Sequence, residues 1–243
     1  MPLTGKTAVV AGGAGGVGEG IVRTLLQNGA TVVVPVRTQA KIVQLTDYTA
    51  DLERGQLLAL EANIGTEAGA RQVGDFLADK FKGGLDLVVA SLGGWTQGLP
   101  LTAIDLTSWN RILANNLTSH FLAIKTLVPL LIPNRGIYVH VNGFSAEQAY
   151  PNAGPVAMAA AAQKSLVTTL ADEVKPLGLT VYELILGPIK TRDRLRHGHG
   201  RRVDGMPDWL FPEDVGDYIV SLVTGRNEKA DELIHRLVEK GSM

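Results

Sequence analysis

The sequence predicts a single α/β domain, residues 1–243, with helices on both faces of a doubly wound, mostly parallel sheet. Three observations support this prediction. Short apolar runs alternate with helical patterns along the whole chain, and this alternation implies crossover connections between parallel strands. Several of the runs are apolar at successive positions, as in strands that are covered on both faces. A chain of 243 residues is also long enough to bury one core without a second domain.

Seven segments are predicted to be strands because they are short and mostly apolar, and several of them are rich in β-branched residues. The first runs directly into a glycine cluster. The last could also be the end of a helix, although we favour a strand. In chain order the predicted strands are residues 7–11, 31–36, 57–62, 85–90, 137–141, 179–186 and 232–238. In a sheet of this kind, ligands bind at the carboxyl ends of the strands, where the strand order reverses.

Apolar residues recur at helical spacing between the predicted strands and indicate amphipathic helices. A long helix is expected to begin near Thr107 or Ser108 and to run past Asn116 toward Leu131. The other predicted helices cover about residues 17–26, 70–81 and 155–174, and a last one begins at residue 212 with proline in its first turn.

Composition narrows the class of function. The formal net charge of −1 gives no reason to expect a nucleic acid or a membrane surface as a partner. The chain has no cysteine, which excludes disulfides, thiolate chemistry and cysteine-held metals. Its first residues lack the basic start and apolar stretch of a signal peptide, and no apolar run reaches the length of a membrane span. We therefore expect a cytoplasmic protein that acts on a small molecule.

The glycine-rich segment that follows the first predicted strand predicts a dinucleotide site. It lies between a strand and a helix, which is the context that a pyrophosphate-binding turn requires. Glycines allow close approach of the backbone to phosphates, and the helix N-terminus supplies free N–H groups and the positive end of its dipole. A tight turn that binds nothing remains the alternative. The residues expected to contact the cofactor here are Gly12, Gly15, Gly16, Val17 and Gly18.

Several motifs resemble those of one known family. The glycines have the spacing Gly-x-x-x-Gly-x-Gly, and the fourth strand ends in a variant of Asn-Asn-Ala-Gly with Ala90 and Ser91 at the two asparagines. A helix carries an asparagine, and a late loop is a variant of Pro-Gly-x-x-x-Thr. These motifs lie in residues 12–18, 86–93, 109–117 and 187–191. In them the chain resembles the short-chain dehydrogenase/reductase family, and the resemblance extends to about Gly225.

The resemblance implies a Rossmann-like, three-layer α/β domain that binds NAD(P)(H) and interconverts an alcohol and a carbonyl compound. It also implies a homodimer or homotetramer, formed through two long helices. In the family, residues at the positions of Ile189 and Thr191 hold the nicotinamide carboxamide, and a lysine at the position of Lys164 holds the ribose. The further cofactor-binding residues implied are Asn63, Ile64, Ser91, Gly93, Lys164, Ile189 and Thr191.

The end of the second strand favours NADP(H) over NAD(H). An acidic residue at this position would bind the adenine ribose hydroxyls and repel a 2′-phosphate. The sequence instead has Arg37, followed by Thr38. A guanidinium group suits bidentate binding of phosphate. The alternative is an ordinary solvated arginine on the surface.

The catalytic positions implied by the resemblance are only partly matched. The family uses a tyrosine four residues before a lysine, a serine at the end of the fifth strand, and an asparagine on the preceding long helix. Asn116 and Lys164 match the asparagine and the lysine. Ala160 stands where the tyrosine is expected, and the serine position falls on Gly143 or Asn142. The usual proton donor is therefore missing, and losing a positioned general acid typically costs about 10²–10⁴ in rate.

Two hydroxyl groups lie close to the expected crevice and could replace the missing acid. Tyr150 and Ser145 follow the fifth strand, and ordinary loop residues are the alternative interpretation for both. We therefore take Asn116, Lys164, Tyr150 and Ser145 as catalytic candidates. The fold could instead serve a different reaction, or bind a nucleotide without turnover as a sensor or partner subunit. Analogy of fold does not choose among these possibilities.

Residues 192–202 form a basic segment at the position of the family's substrate lid. The segment contains five arginines and two histidines, with Asp193 as its single acid. A cationic lid could select an anionic substrate or clamp the cofactor phosphates, and a solvated loop is the alternative. His197 and His199 alone do not indicate a metal site, and we expect none.

Overall fold

The computed structural model of the protein describes residues 1–197 and 209–238, and its centre is a seven-stranded parallel sheet. The strands are β1 (Thr7–Ala11), β2 (Thr31–Val36), β3 (Gln56–Glu61), β4 (Leu87–Ala90), β5 (Ile137–Gly143), β6 (Thr180–Leu186) and β7 (Ile234–Leu237). Their order in the sheet is β3-β2-β1-β4-β5-β6-β7. The strand order therefore reverses between β1 and β4, which confirms the doubly wound, Rossmann-like α/β fold predicted from the sequence.

Helices cover both faces of this sheet. They are α1 (Gly18–Gln27), α2 (Gln39–Thr49), α3 (Glu67–Lys80), α4 (Leu106–Leu113), α5 (Ser119–Leu127), α6 (Gly154–Val174), α7 (Arg192–Arg196) and α8 (Pro212–Val223). One apolar layer joins α1 and α8 to the sheet, and a second joins α3, α5 and α6 to the opposite face. Among the residues described, no helix is both long and apolar enough to cross a membrane.

The long helix expected over 107–131 is interrupted, so this prediction is wrong in its continuity. A π-helical turn, Ala114–Thr118, separates α4 from α5, and a short 3₁₀ turn, Val128–Leu130, follows α5. At the π turn, Asn116 Nδ2 donates to the Ile112 carbonyl at 3.0 Å, and the Ser119 hydroxyl donates to the Asn115 carbonyl at 2.6 Å. These side chains occupy backbone acceptors, and such turns are frequent at functional sites.

Two further elements differ from the sequence prediction. The fourth strand begins at Leu87 rather than Leu85, because Leu85 pairs with Leu131 in an isolated bridge outside the strand. Helix α2 was not predicted. Only Leu45 and Thr49 of α2 are buried, so its apolar face is too narrow to give a strong helical pattern. The last strand, β7, is confirmed.

Candidate functional site

The glycine turn between β1 and α1 brings three backbone segments together. Gly12 has φ +84°, and a Cβ atom on it would overlap the carbonyl oxygen of Ser91 at the end of β4. A Cβ on Gly18 would overlap the Gly12 carbonyl oxygen. The residue before α1, Val17, provides no side-chain cap for the first amides of that helix. The Glu19 amide already donates to the Gly15 carbonyl at 2.9 Å, so the amides that a phosphate group could use are those between these two residues.

A long crevice extends from this turn in both directions. It consists of two adjoining cavities of about 560 and 490 Å³, which share Gly15, Asn116 and the segment 91–95 after β4. Except for Gly18 and Lys164, every residue predicted to bind cofactor lines one or both cavities: Gly12, Gly15, Gly16, Val17, Arg37, Asn63, Ile64, Ser91, Gly93, Ile189 and Thr191. The structure therefore brings most of the predicted binding residues to a single surface.

The outer end of the crevice is cationic. Arg37, Lys41 and Arg111 line it, and none of the three forms an ion pair with a described residue. Lys41 lies in the first turn of α2, four residues after Arg37. The sequence analysis missed Lys41 and Arg111, although the spacing of four from Arg37 was a usable signal for Lys41. Three cations without carboxylate partners fit a phosphate-bearing end of a dinucleotide.

Asn63 and Ile64 form a wall of the same cavity that the glycine turn lines. Asn63 Oδ1 accepts a hydrogen bond from the Gly65 amide at 3.1 Å. Its Nδ2 donates no hydrogen bond within the described residues, so this donor is available to a ligand. Ile64 is buried and adds an apolar contact surface to the same wall.

Asn116 lies between the outer and inner ends of the crevice. Both polar atoms of its side chain are already hydrogen-bonded, because Oδ1 accepts from the Gly94 amide at 2.9 Å and Nδ2 donates to the Ile112 carbonyl. Its carbonyl accepts a hydrogen bond from Gln163 Nε2. Asn116 therefore fixes the loop after β4 against the π turn, and buried Gln163, which the sequence analysis missed, extends this contact to α6.

The inner end of the crevice contains a serine hydroxyl. Ser145 is buried, and its hydroxyl forms no hydrogen bond within the described residues. Gly143 and Asn142 also line this end. The side-chain amide of Asn142 is occupied, since Nδ2 donates to the Ala160 carbonyl and to Glu183 Oε1, both at 2.9 Å. Ser145 is thus the hydroxyl that the structure places at the carboxyl end of β5.

Lys164, a candidate for catalysis and for holding the cofactor ribose, is not among the residues that line either cavity. Its Nζ lies 2.6 Å from Glu147 Oε1, and Arg236 binds both oxygens of the same carboxylate. The hydrogen bonds from Arg236 and Lys164 lower the pKa of Glu147 to about 2. The residues through which α6 lines the crevice are Val156, Ala160 and Gln163. The two positions four residues apart on this face are therefore Val156 and Ala160, and neither carries a proton donor.

Tyr150 lies behind the crevice wall rather than in it. Trp95 lines both cavities, and the Tyr150 ring contacts it edge-on at 5.2 Å between ring centroids. The Tyr150 hydroxyl accepts a hydrogen bond from Gln148 at 3.0 Å. Because Tyr150 is absent from the lining of either cavity, the structure does not bring this catalytic candidate together with Ser145.

Two arginines in the described part of the basic segment, Arg192 and Arg194, contact different parts of the protein. Arg192 pairs with Glu19 of α1, with 2.7 Å between Nε and Oε1, and its guanidinium lies 4.0 Å from the centroid of the Tyr48 ring. Arg194 lines the inner cavity and donates to the Ile189 carbonyl at 3.3 Å. The remaining residues of the predicted lid, 198–202, lie outside the described residues.

The chain is similar to named proteins of one family. A family model described as short chain dehydrogenase matches residues 6–198. Dehydrogenase/reductase SDR family member 4 of Sus scrofa is 31% identical over 195 residues, covering 78% of this chain and 68% of that protein. The 3-oxoacyl-acyl-carrier-protein reductase FabG of Vibrio cholerae is 28% identical over 192 residues, covering 79% of this chain and 76% of that protein.

Structural similarity extends over almost the whole chain. A short-chain type dehydrogenase/reductase from Mycobacterium ulcerans matches with a TM-score of 0.84, covering 98% of this chain and 89% of that one. The sequence identity is 20%, so this likeness shows the fold alone. With two other curated relatives the alignment spans 49% and 46% of their length, so the chain matches about half of each of those proteins.

Proposed function

Because the chain belongs to the short-chain dehydrogenase/reductase family, we propose that it is an NADP(H)-dependent oxidoreductase with a non-standard active site, acting on a carbonyl or alcohol substrate. One observation supports this proposal most strongly. A single crevice contains the cationic end at Arg37, the start of α1 without a side-chain cap, and the hydroxyl of Ser145. The cofactor, when bound, would supply or accept a hydride. The amides of the glycine turn would hold the diphosphate, and Ile189 and Thr191 lie at the end where the nicotinamide would be bound.

Preference for NADP(H) follows from the outer end of the crevice. A 2′-phosphate brings negative charge that NAD(H) lacks, and Arg37 and Lys41 offer cations that no described carboxylate neutralises. We expect Arg37→Gln and Lys41→Gln each to weaken NADPH binding about tenfold, since hydrogen bonds to charged groups contribute about 1.5–3 kcal/mol. NADH binding should change by less than about twofold.

Fluorescence titration of both nucleotides measures this preference. Lys125→Gln, on α5 and outside both cavities, is the matched control for loss of one positive charge. Equal losses of NADPH and NADH affinity in the Arg37 variant would contradict the proposed role of the 2′-phosphate. Failure of both nucleotides to bind the unaltered protein would remove the proposed function.

The inner end suggests the substrate class. Ser145 offers a hydroxyl that would donate a hydrogen bond to the substrate oxygen, and Arg194 offers a guanidinium at the same end, which the carboxylate of Asp193 also lines. An anionic substrate, such as a carboxylate-bearing carbonyl compound, would match this guanidinium. No aromatic hydroxyl lines the described crevice, so the role of the family's tyrosine falls to Ser145 with solvent as the final proton source.

The test of turnover is NADPH consumption with a panel of neutral and carboxylate-bearing carbonyl compounds. We expect the carboxylate-bearing compounds to react faster, and Ser145→Ala to lower kcat about 100-fold with them, as expected for loss of an oriented donor. Tyr150→Phe is the matched hydroxyl control and should leave kcat unchanged. Activity that survives Ser145→Ala but is lost in Tyr150→Phe would reverse the assignment.

A second candidate function is NADP(H) binding without turnover, as a sensor or partner subunit. The observation that favours it is the neutral α6 face, where Val156 and Ala160 leave the inner end of the described crevice without a phenol or an ammonium group. Tight NADPH binding combined with no consumption across the whole panel would favour this candidate.

We also propose a homodimer or homotetramer in the cytoplasm, with neither nucleic acid nor a membrane as partner. Leu106, Phe121 and Met158 are exposed apolar residues on the two helical regions that the family resemblance implicates in assembly. Apolar side chains of this size are commonly buried in contacts between subunits.

A further inference from the structure

A chain of buried polar side chains lies beneath the crevice. His120 of α5, His140 of β5 and Glu183 of β6 each have 0% exposure. His120 Nε2 lies 3.2 Å from the Leu92 carbonyl oxygen, and His120 Nδ1 lies 3.1 Å from His140 Nε2. His140 Nδ1 lies 3.8 Å from Glu183 Oε1. Fully buried titratable groups are costly unless paired, so this chain requires an explanation of its own.

The Leu92 carbonyl, at one end of this series of hydrogen bonds, determines which nitrogen atoms of the two histidines carry protons. Because the Leu92 carbonyl can only accept, His120 must carry a proton on Nε2, and a neutral His120 then accepts at Nδ1. His140 must therefore donate from Nε2. If His140 is also neutral, its Nδ1 is an acceptor that faces Glu183. This Nδ1 has no hydrogen-bond partner within the described residues.

Glu183, like His140, has a buried polar atom without a hydrogen-bond partner among the described residues. Its Oε1 accepts from Asn142 Nδ2 at 2.9 Å, whereas its buried Oε2 has no partner. An ionised carboxylate with an unpartnered buried oxygen would be expensive, but a protonated carboxyl has one O–H to donate. His140 Nδ1 is the acceptor that faces it. The separation of 3.8 Å joins Nδ1 to Oε1, so a carboxyl that accepts from Asn142 at Oε1 and carries its proton on that same oxygen would complete the hydrogen bond by moving about 1 Å closer to His140.

We infer that Glu183 is protonated and directs its proton at His140 Nδ1, so that Leu92, His120, His140, Glu183 and Asn142 form one neutral chain of hydrogen bonds. The two ends of the chain, Leu92 and Asn142, both line the crevice. His140 and Glu183 are therefore positioning residues, which tie the end of β4 to the end of β5.

The burial and the neighbouring charges of Glu183 and His140 favour the neutral form of both side chains. Burial raises the pKa of Glu183 and lowers the pKa of His140 well below its usual range. The charged groups that act on Glu183 from neighbouring elements are Lys164 of α6, Arg236 of β7 and Glu147 after β5. Both cations bind Glu147, so neither is left as a partner for Glu183. His140 faces His120 and the uncharged Gln163.

Spectroscopy of the unaltered chain tests the proton directly. Nitrogen NMR should show His120 and His140 as neutral rings with the proton on Nε2 at neutral pH. The infrared spectrum should contain the carbonyl stretch of a buried protonated carboxyl, and Glu183→Gln should remove it. An imidazolium at His140, or no such carboxyl band, would overturn the inference.

Two substitutions of Glu183 test the positioning role. Glutamine can accept from Asn142 and donate to His140, so Glu183→Gln should bind NADPH as the unaltered protein does. Glu183→Met has similar length but no polar atoms, and it should weaken NADPH binding about tenfold, as expected when buried partners are left unpaired. Equal binding by both variants, or equal weakening in both, would refute the positioning role.

A matched control removes a comparable contact elsewhere. Tyr218→Phe deletes the hydrogen bond from Tyr218 to buried His235, 2.9 Å long, and neither residue lines the crevice. It should leave NADPH binding unchanged. The binding readout rests on the proposed function, whereas the spectra do not. If the protein binds no NADPH but shows the neutral histidine rings and the carboxyl band, the proposed function fails while the inferred protonation of Glu183 stands.

Discussion

Gly12→Ala is expected to lower the free energy of unfolding by about 2–5 kcal/mol and to abolish dinucleotide binding. The substitution imposes a left-handed φ on alanine, which costs about 1–2 kcal/mol, and forces a methyl group against the Ser91 carbonyl, which costs about 1–3 kcal/mol. The clash lies between the ends of two central strands, so relaxation must separate β1 from β4. Chemical denaturation measures the stability, and NADPH titration measures the binding.

The control for this substitution is Gly83→Ala. A Cβ on Gly83 has no heavy atom within 4 Å, and Gly83 has no positive φ. We expect its stability to change by less than about 0.5 kcal/mol, as for most surface substitutions. If Gly12→Ala were as stable as the control and still bound NADPH, the close approach that defines the glycine turn would not exist in solution.

Mild acid is expected to destabilise the protein through its buried histidines. Burial lowers the pKa of His120 from 6.5 to about 4, and the pKa of His140 falls for the same reason. A group whose pKa is lowered by folding contributes stability that is present above its unfolded pKa and lost as the pH falls toward its folded value. Between pH 7 and pH 5 the free energy of unfolding should decrease by about 2 kcal/mol for His120 alone.

Of the acidic groups with shifted pKa values, Glu147 adds little to this effect in the chosen range, whereas Glu183 opposes it. The lowered pKa of Glu147 removes stability only as the pH falls below about 4.5, outside the measured interval. The raised pKa of Glu183 acts in the opposite direction, because its contribution is lost as the pH rises through that value.

Denaturation curves at pH 7 and pH 5 provide the measurement. His120→Gln should reduce the difference between the two pH values, whereas exposed His197→Gln should leave it unchanged. A change in stability between pH 7 and pH 5 that is the same in His120→Gln as in the unaltered protein would show that His120 is not held neutral by the fold.

Much of the fold was predictable because its signals are local. Valine-rich strands such as 31–36 are apolar at successive positions, which identifies a sheet covered on both faces. Helix α2 escaped prediction because it packs only two buried residues against the rest of the chain. The π turn escaped as well, since it depends on where Asn116 and Ser119 direct their hydrogen bonds.

The candidate site was predictable where backbone geometry dictates the residue. The glycine turn and Arg37 were found because strand ends and glycine spacing locate them. The orientation of Lys164 was not, because α6 carries alanine on several sides and spacing alone does not tell which face meets the crevice. The buried chain of His120, His140 and Glu183 has no sequence signal, since its members are dispersed over three elements.

The bidentate contact between Arg192 and Glu19 ties the inner end of the crevice to the start of α1. Arg192 is the first residue of α7, beside the inner end, and Glu19 lies in the first turn of the helix that begins at the glycine turn. A molecule that pushes α7 aside at the inner end must pull on this tether and leave a carboxylate uncompensated at the start of α1. A molecule bound at the inner end would thus change the electric field at the glycine turn.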